Sequence, residues 1–220
     1  VASGGQALVY SACQDNQIPV VLKEFRLTSG EALNVMIDSA GPFEAESTIL
    51  SQLDHRQIVK MLDMFYENGR VYIVLEKVDG LSLRKLVEDS GALKEARVID
   101  LAKQMCSILK YLHAFDPAVL HRDFTPDNLI LQPNGQLKLI DFSVSQTSKD
   151  VQAGQCAGKH SYTPPEQFRG ETSSQSDIYA LGATLAYLLT GADPLPISSA
   201  SPIDSRADLS PRLNEIIQKA

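Results

Sequence analysis

His121-Arg122-Asp123-Phe124-Thr125-Pro126-Asp127-Asn128 is the stretch on which the reading of this chain turns. Pro126 and the Asp127-Asn128 pair mark it as a loop rather than a helix or strand. A hairpin around Pro133-Asn134-Gly135 follows, since a turn of this composition readily reverses the chain. An apolar run then ends in Leu139-Ile140-Asp141-Phe142-Ser143, which puts Asp141 eighteen residues beyond Asp123. Upstream, Arg97 to Ala114 carries Val98, Leu101, Ala102, Met105, Ile108, Leu109 and Leu112 on one helical face.

Further out, the two halves of the chain differ. The first half reads as strands with one helix. Leu8-Val9-Tyr10 and Val20-Val21-Leu22 are β-type runs, separated by a polar turn from Gln14 to Gln17. Phe43 to Leu53 has helical spacing, with Phe43, Ile49, Leu50 and Leu53 apolar. Ile58 to Phe65 and Val71 to Leu75 form a hairpin around Glu67-Asn68-Gly69-Arg70. The second half is mainly helical. Asp177 to Thr190 reads as a buried helix, and Pro211 to Ala220 as a final one. Ser143 to Lys159 has little periodicity and reads as a long, mobile loop, a kind that is usually functional. Ala192 to Ser205, rich in Pro and Ser, reads as another loop. This asymmetry implies two lobes with a boundary near Glu76 to Leu83, where Asp79-Gly80 marks a turn. Active sites favour interdomain clefts.

Composition narrows the function classes. The chain has 220 residues, enough for one large or two small cores. Apolar residues make up 44% and charged residues 21%, a globular balance. With 27 acidic against 20 basic residues the net charge is −7, which argues against a nucleic-acid partner. Cys13, Cys106 and Cys156 are widely spaced and form no C-x-x-C pair, so they read as reduced thiols of a cytoplasmic chain rather than a zinc or disulfide framework. No run approaches the ~18 apolar residues of a membrane span; Ala180 to Leu189 is interrupted by Gly182 and Thr184. The start at Val1 reads as a cut from a longer polypeptide with further domains, of which this is the cytoplasmic part.

Five more segments accompany the opening loop, in a fixed order. They are Val20-Val21-Leu22-Lys23, Glu46 to His55, Asp141-Phe142-Ser143, Tyr162-Thr163-Pro164-Pro165-Glu166, and Ser176-Asp177-Ile178-Tyr179-Ala180-Leu181-Gly182. Together they resemble the bacterial branch of the eukaryotic-like (Hanks-type) serine/threonine protein kinases, over essentially the whole chain. The resemblance implies an α+β, bilobal protein-kinase fold. An antiparallel N-lobe sheet with one main helix would occupy residues 1–78 and a mainly helical, incomplete C-lobe 79–220, with the domain truncated at both ends. It implies transfer of the ATP γ-phosphate to Ser or Thr of a protein substrate. The alternative is a pseudokinase acting as a nucleotide-binding or scaffold module. A small-molecule kinase is disfavoured by the segments around Glu166 and Asp177, and tyrosine specificity stays open.

The same resemblance assigns residues. Asp123 orients the substrate hydroxyl or accepts its proton. Asn128 and Asp141 hold Mg²⁺ (or Mn²⁺), for which hard oxygen ligands are suited. Lys23 pairs with the ATP phosphates and with Glu46, chosen over Glu44 because it lies seven residues before Leu53 and nine before His55. Val9, Val21 and Ile130 sandwich the adenine, Leu75 is the gatekeeper, and Glu76 and Val78 offer backbone hydrogen bonds. The glycine-rich loop is weak. Aligned on Val9, its glycine positions fall on Ala2, Gly4 and Ala7, so Gly4 with Gly5 must cradle phosphate. Asp177 is expected to hold the catalytic-loop backbone.

Three departures from the family pattern stand out. Thr125 occupies the position of the usual Lys two residues after the catalytic Asp. Lys159 follows Gly158 where Thr is usual. These two have traded places, so Lys159 is expected to bring the ammonium near the γ-phosphate and Thr125 the hydroxyl. Ser143 replaces the flexible Gly after Asp141-Phe142. Arg122 is expected to meet an activation-segment phosphate, with Thr147, Ser148, Ser161 and Thr163 as candidate acceptors. Glu166 is expected to lack the Arg with which the family's last helices pair it.

Overall fold

Val20, Val21, Val71, Ile73 and Val74 give two strands of the N-terminal part stiff, β-branched side chains that suit a pleated surface. The computed structural model describes residues 2–3, 7–14, 17–26, 42–148 and 159–220. These fall into two compact units, Val1–Val78 with Asp141–Ser143, and Asp79–Ile140 with Val144–Ala220.

The first unit contains β1 (Ala2–Ser3), β2 (Ala7–Gln14), β3 (Ile18–Arg26), α1 (Pro42–Gln52), β4 (Met61–Glu67) and β5 (Arg70–Glu76). The strands form one antiparallel sheet in the order β1-β2-β3-β5-β4. Helix α1 packs on β4 and β5 and buries Ile49 and Leu50. Asn68 and Gly69 have φ of 50° and 75° in the β4-β5 turn. Positive φ at both central residues gives the turn whose twist matches the flanking strands. The expected hairpin is therefore present, but its first strand starts at Met61. Ile58 and Val59 are buried outside it.

The second unit continues with β6 (Leu81–Ser82), α2 (Leu83–Ser90), α3 (Glu95–His113), β7 (Val119–Leu120), β8 (Leu129–Leu131), β9 (Leu137–Leu139), β10 (Gln146–Thr147), α4 (Pro165–Phe168), α5 (Ser174–Thr190) and α6 (Pro211–Lys219). Helix α3 buries Val98, Leu101, Met105, Ile108, Leu109 and Leu112, the stripe read from the sequence, while Ala102 is half-buried. Each large side chain so buried contributes about 1.5–3 kcal/mol. Helix α5 is buried along most of its length. Its start is fixed by a reciprocal Ser173–Ser176 capping box, which satisfies exposed backbone N–H groups. Gly182 allows α5 and α6 to approach, since a Cβ there would lie 2.8 Å from that of Ala220.

Two elements depart from the sequence reading. Helix α2 was not anticipated; it is short and buries only Leu83 and Val87. Ser82 caps it by accepting the Lys85 N–H, and Gly91 ends it at φ 78°. The span 143–159 is not one loop throughout, because Gln146–Thr147 pairs antiparallel with β7. Residues 149–158 lie outside the described residues, as do the expected phosphate-loop positions Gly4 and Gly5.

The sheet-plus-helix first unit and the mainly helical second unit are the α+β arrangement expected of a kinase domain. No helix among the described residues is long and apolar enough to cross a membrane.

Candidate active site

In the first unit, register places the expected nucleotide-facing residues together. Val9 lies opposite Lys23 on β2 and β3, and Val21 opposite Leu75 on β3 and β5. Side chains alternate along a strand, so Val9, Val21, Lys23 and Leu75 share one face of the sheet. Leu75 is buried, whereas Val9, Val21 and Val78 are half-buried. The Glu76 N–H donates to the Lys60 carbonyl at 3.0 Å. Of the Glu76 backbone, a purine can therefore use only the carbonyl.

Lys23 is the centre of this face. Its ammonium donates to Glu46 Oε1 at 2.6 Å and to Asp141 Oδ1 at 2.8 Å. The Glu46 side chain is fully buried, and that of Asp141 is 35% exposed. One ammonium thus serves two carboxylates. Burial pulls the Lys23 pKa down, but the two acids outweigh it and hold it above its ordinary value. Burial pushes Glu46 up, and its shared lysine does not bring it back to the usual carboxylate range. Asp141 feels the same upward push, but Lys23 and then the Ser143 N–H and side chain hold it below that range. The Ser143 N–H reaches Asp141 Oδ1 at 3.0 Å. A serine at this position therefore helps to keep Asp141 ionised, an effect its hydroxyl adds and a glycine cannot.

In the second unit the loop 121–128 is held from below. Asp177, fully buried on α5, accepts the His121 N–H at 2.9 Å and the Arg122 N–H at 2.8 Å. It also contacts His113 Nε2 at 2.8 Å. Arg122 has φ of 68°, a left-handed conformation that costs a non-glycine residue of order 1 kcal/mol or more. Asp177 and the Gln167 side-chain amide, which donates to the Arg122 carbonyl at 2.9 Å, hold that conformation. The backbone then delivers Asp123 into a tight turn. Thr125 N–H donates to the Asp123 carbonyl, and Asn128 N–H to the Thr125 carbonyl. The Asn128 amide nitrogen donates to Asp123 Oδ2 at 2.8 Å and to its carbonyl at 2.9 Å. The amide oxygen is the only remaining metal-ligating atom of that side chain. Ile130 lies on β8, half-buried.

Of the exchanged pair, Thr125 departs from expectation. The Thr125 hydroxyl is fully buried and has no hydrogen-bond partner among the described residues, so it makes no bond to Asp123. The Lys159 ammonium is 2.7 Å from Asp127 Oδ2. Asp127 Oδ2 also accepts Arg84 Nε at 2.9 Å. Burial raises the Asp127 pKa, but hydrogen bonds from Lys159 and Arg84 outweigh it and hold the carboxyl below its usual range. Arg122 donates to Gln146 Oε1 at 2.8 Å and to the Val144 carbonyl at 3.3 Å. Of the candidate acceptors, Ser148 is exposed and Thr163 is buried with its hydroxyl on the Lys159 carbonyl. Glu166 is half-buried and accepts the Ser176 hydroxyl at 3.0 Å.

The structure thus joins Lys23, Glu46 and Asp141 in one unit, and Asp123 with Asn128 in the other. It places Lys159 on the same turn through Asp127, and leaves Thr125 unjoined. Arg84, Asp127, Tyr162 and Asp193 form a network that sequence reading missed: Asp127 and Tyr162 lie in the segments quoted above, but no motif marks Arg84 or Asp193 as their partners. Among the described residues, no group of three or more His, Cys, Asp or Glu side chains could cage a metal by itself. Magnesium, which keeps waters and takes phosphate oxygens, needs only one or two protein ligands. In the first unit, the unbalanced charge of the Lys23 cluster and the hard oxygens of Asp141 suit such an ion.

A buried lysine–glutamate pair sharing its ammonium with an aspartate, and in the other unit a backbone-clamped Asp–Asn turn, are the parts expected of a protein kinase. The chain belongs to the protein kinase domain family, whose model matches residues 1–217. It is 32% identical over 201 residues to the serine/threonine-protein kinase PknB of Mycolicibacterium smegmatis, covering 81% of this chain and 32% of that protein. It is 30% identical over 207 residues to the serine/threonine-protein kinase PrkC of Bacillus subtilis, covering 91% of this chain and 31% of that protein. The dual specificity mitogen-activated protein kinase kinase dSOR1 of Drosophila melanogaster is 31% identical over 161 residues, 73% of this chain. The chain spans about a third of the length of the two bacterial relatives.

Proposed function

We propose that this chain transfers the γ-phosphate of ATP to Ser or Thr hydroxyls of proteins. The observation that carries the reading is the buried Lys23–Glu46 pair with Asp141 on the same ammonium. ATP supplies the phosphoryl group, and Mg²⁺ neutralises charge on its phosphates. Lys23 binds phosphate oxygens, and Glu46 keeps its ammonium in place. Asp141 and Asn128 offer oxygen ligands to the metal. Asp123, its Oδ2 fixed by the Asn128 amide, orients the acceptor hydroxyl and takes its proton. Lys159 supplies the ammonium that stabilises charge on the group being transferred.

The Thr125 hydroxyl, without a partner among the described residues, favours a second reading, a nucleotide-binding module without transfer. Incubation with radiolabelled ATP, Mg²⁺ and a generic protein substrate, followed by phosphoamino-acid analysis, separates the two. Label on Ser or Thr, reduced a hundredfold or more by Asp123→Asn, is the expected result. No label above that of Asp123→Asn, or label on Tyr alone, overturns the proposal. Lys159→Ala is expected to slow transfer at least tenfold; a rate within about twofold of the parent removes Lys159 from the mechanism.

A further inference from the structure

The network behind Asp127 bears on how Lys159 works. We propose that Asp127, itself fixed by Arg84, is the positioning residue that holds the Lys159 ammonium on the turn carrying Asp123. The inference rests on the role given to Lys159 above.

Lys159 has four rotatable side-chain bonds, and its side chain is 51% exposed. Left alone, its ammonium would sample a large volume, and an electrostatic group counts only where it is held. Its backbone is secured, since the Lys159 carbonyl accepts the Tyr162 N–H at 2.8 Å and the Thr163 hydroxyl at 3.0 Å. Its ammonium is secured by Asp127 at 2.7 Å. Asp127 immediately precedes Asn128, whose amide grips the Asp123 carboxylate. The ammonium is therefore docked on the same closed turn as the catalytic carboxylate.

An anchor must itself be rigid, and Arg84 makes it so. Its N–H donates to the Pro126 carbonyl at 3.1 Å and its Nε to Asp127. Its Nη2 reaches Asp193 at 2.8 Å and the Tyr162 hydroxyl at 3.0 Å. The guanidinium lies over the Tyr187 ring, 4.4 Å from its centroid. A planar fork used in this way fixes the carboxylate in orientation as well as distance. Arg84 and Lys159 face Asp127 and Asp193, so the four charges balance. Among the described residues these charges pair off, and what the network supplies is geometry.

The test is a double-mutant cycle between Asp127→Asn and Lys159→Ala, with kcat and the KM for ATP measured for each. Asp127→Asn keeps the shape and removes the anionic anchor. It is expected to lower kcat five- to tenfold with KM for ATP within twofold, and to change kcat less than twofold once Lys159 is Ala. Asp127→Glu, which keeps the carboxylate, should recover part of the loss. An equal loss from Asp127→Asn with and without Lys159 shows a merely structural role and overturns positioning while Lys159 keeps its function. An increase in kcat shows that Asp127 sequesters the ammonium, and also overturns it. If Lys159→Ala alone is harmless, the role of Lys159 falls and the positioning with it. If the parent is no more active than Asp123→Asn, the kinase reading itself fails, and the inference with it.

Discussion

Lys23 is one cation between two carboxylates; Asp127 is one carboxylate between two cations. The two clusters use the same chemistry and differ in balance and burial. The Lys23 cluster is short of one positive charge, and its Glu46 side chain is wholly buried. The Asp127 cluster is completed by Asp193, balances, and has its lysine half exposed. An uncompensated charge in low dielectric is costly, and in the first arrangement the partly exposed Asp141 carries it next to solvent. A balanced, half-exposed arrangement gains little energy and fixes positions instead. The difference teaches that one cluster keeps a negative charge in reserve while the other closes on itself.

Substitutions that alter the balance sharpen or break this comparison. Asp141→Asn evens the charge of the first cluster and removes a metal ligand. Transfer should fall a thousandfold or more, of order 4 kcal/mol, with a weakened response to Mg²⁺ concentration. Undiminished Mg²⁺-dependent transfer would break the contrast outright. Lys23→Met worsens the imbalance by leaving two carboxylates unpaired, and should destabilise the chain by about 3 kcal/mol at neutral pH. Glu46 is already held above its ordinary 4.5, and an acid with a raised folded-state pKa loses stability as pH rises through that value. The deficit of Lys23→Met should therefore narrow as pH falls toward 4.5, which thermal melts at several pH values will show. Asp127→Asn should cost no more than ~1 kcal/mol, because its partners are solvent-screened. The sign of its pH dependence is opposite. Asp127 is held below its ordinary 3.8, so its contribution is full above that value and is lost as pH falls below it. A penalty that grows on acidification would contradict the ion-pair description.

Much of the fold was legible because the pattern was local. The α3 stripe, the Asn68-Gly69 turn and the apolar run of α5 each follow from residues close in sequence. Helix α2 escaped because it is short and places only two residues in the core, although Ser82 and Gly91 mark its ends. The pairing of β10 with β7 escaped because two-residue strands carry no periodicity. In the site, Lys23, Glu46 and Asp141 were legible through motif spacing. The Ser143 side chain and the Arg84 network were not, since their effect depends on what lies beside them.

Sequence by itself pointed to the protein kinase family, because its characteristic segments stand in the family's order. It also exposed the trade of Thr125 for Lys159, which is a fact of composition at two positions. Only the tertiary structure decided what that trade means. It left the Thr125 hydroxyl buried without a partner among the described residues and carried Lys159 to Asp127, thirty-two residues earlier in the chain. The physical reason is that a flexible lysine is placed by a carboxylate that is itself held, and Asp127 is held by Arg84, which is distant in sequence.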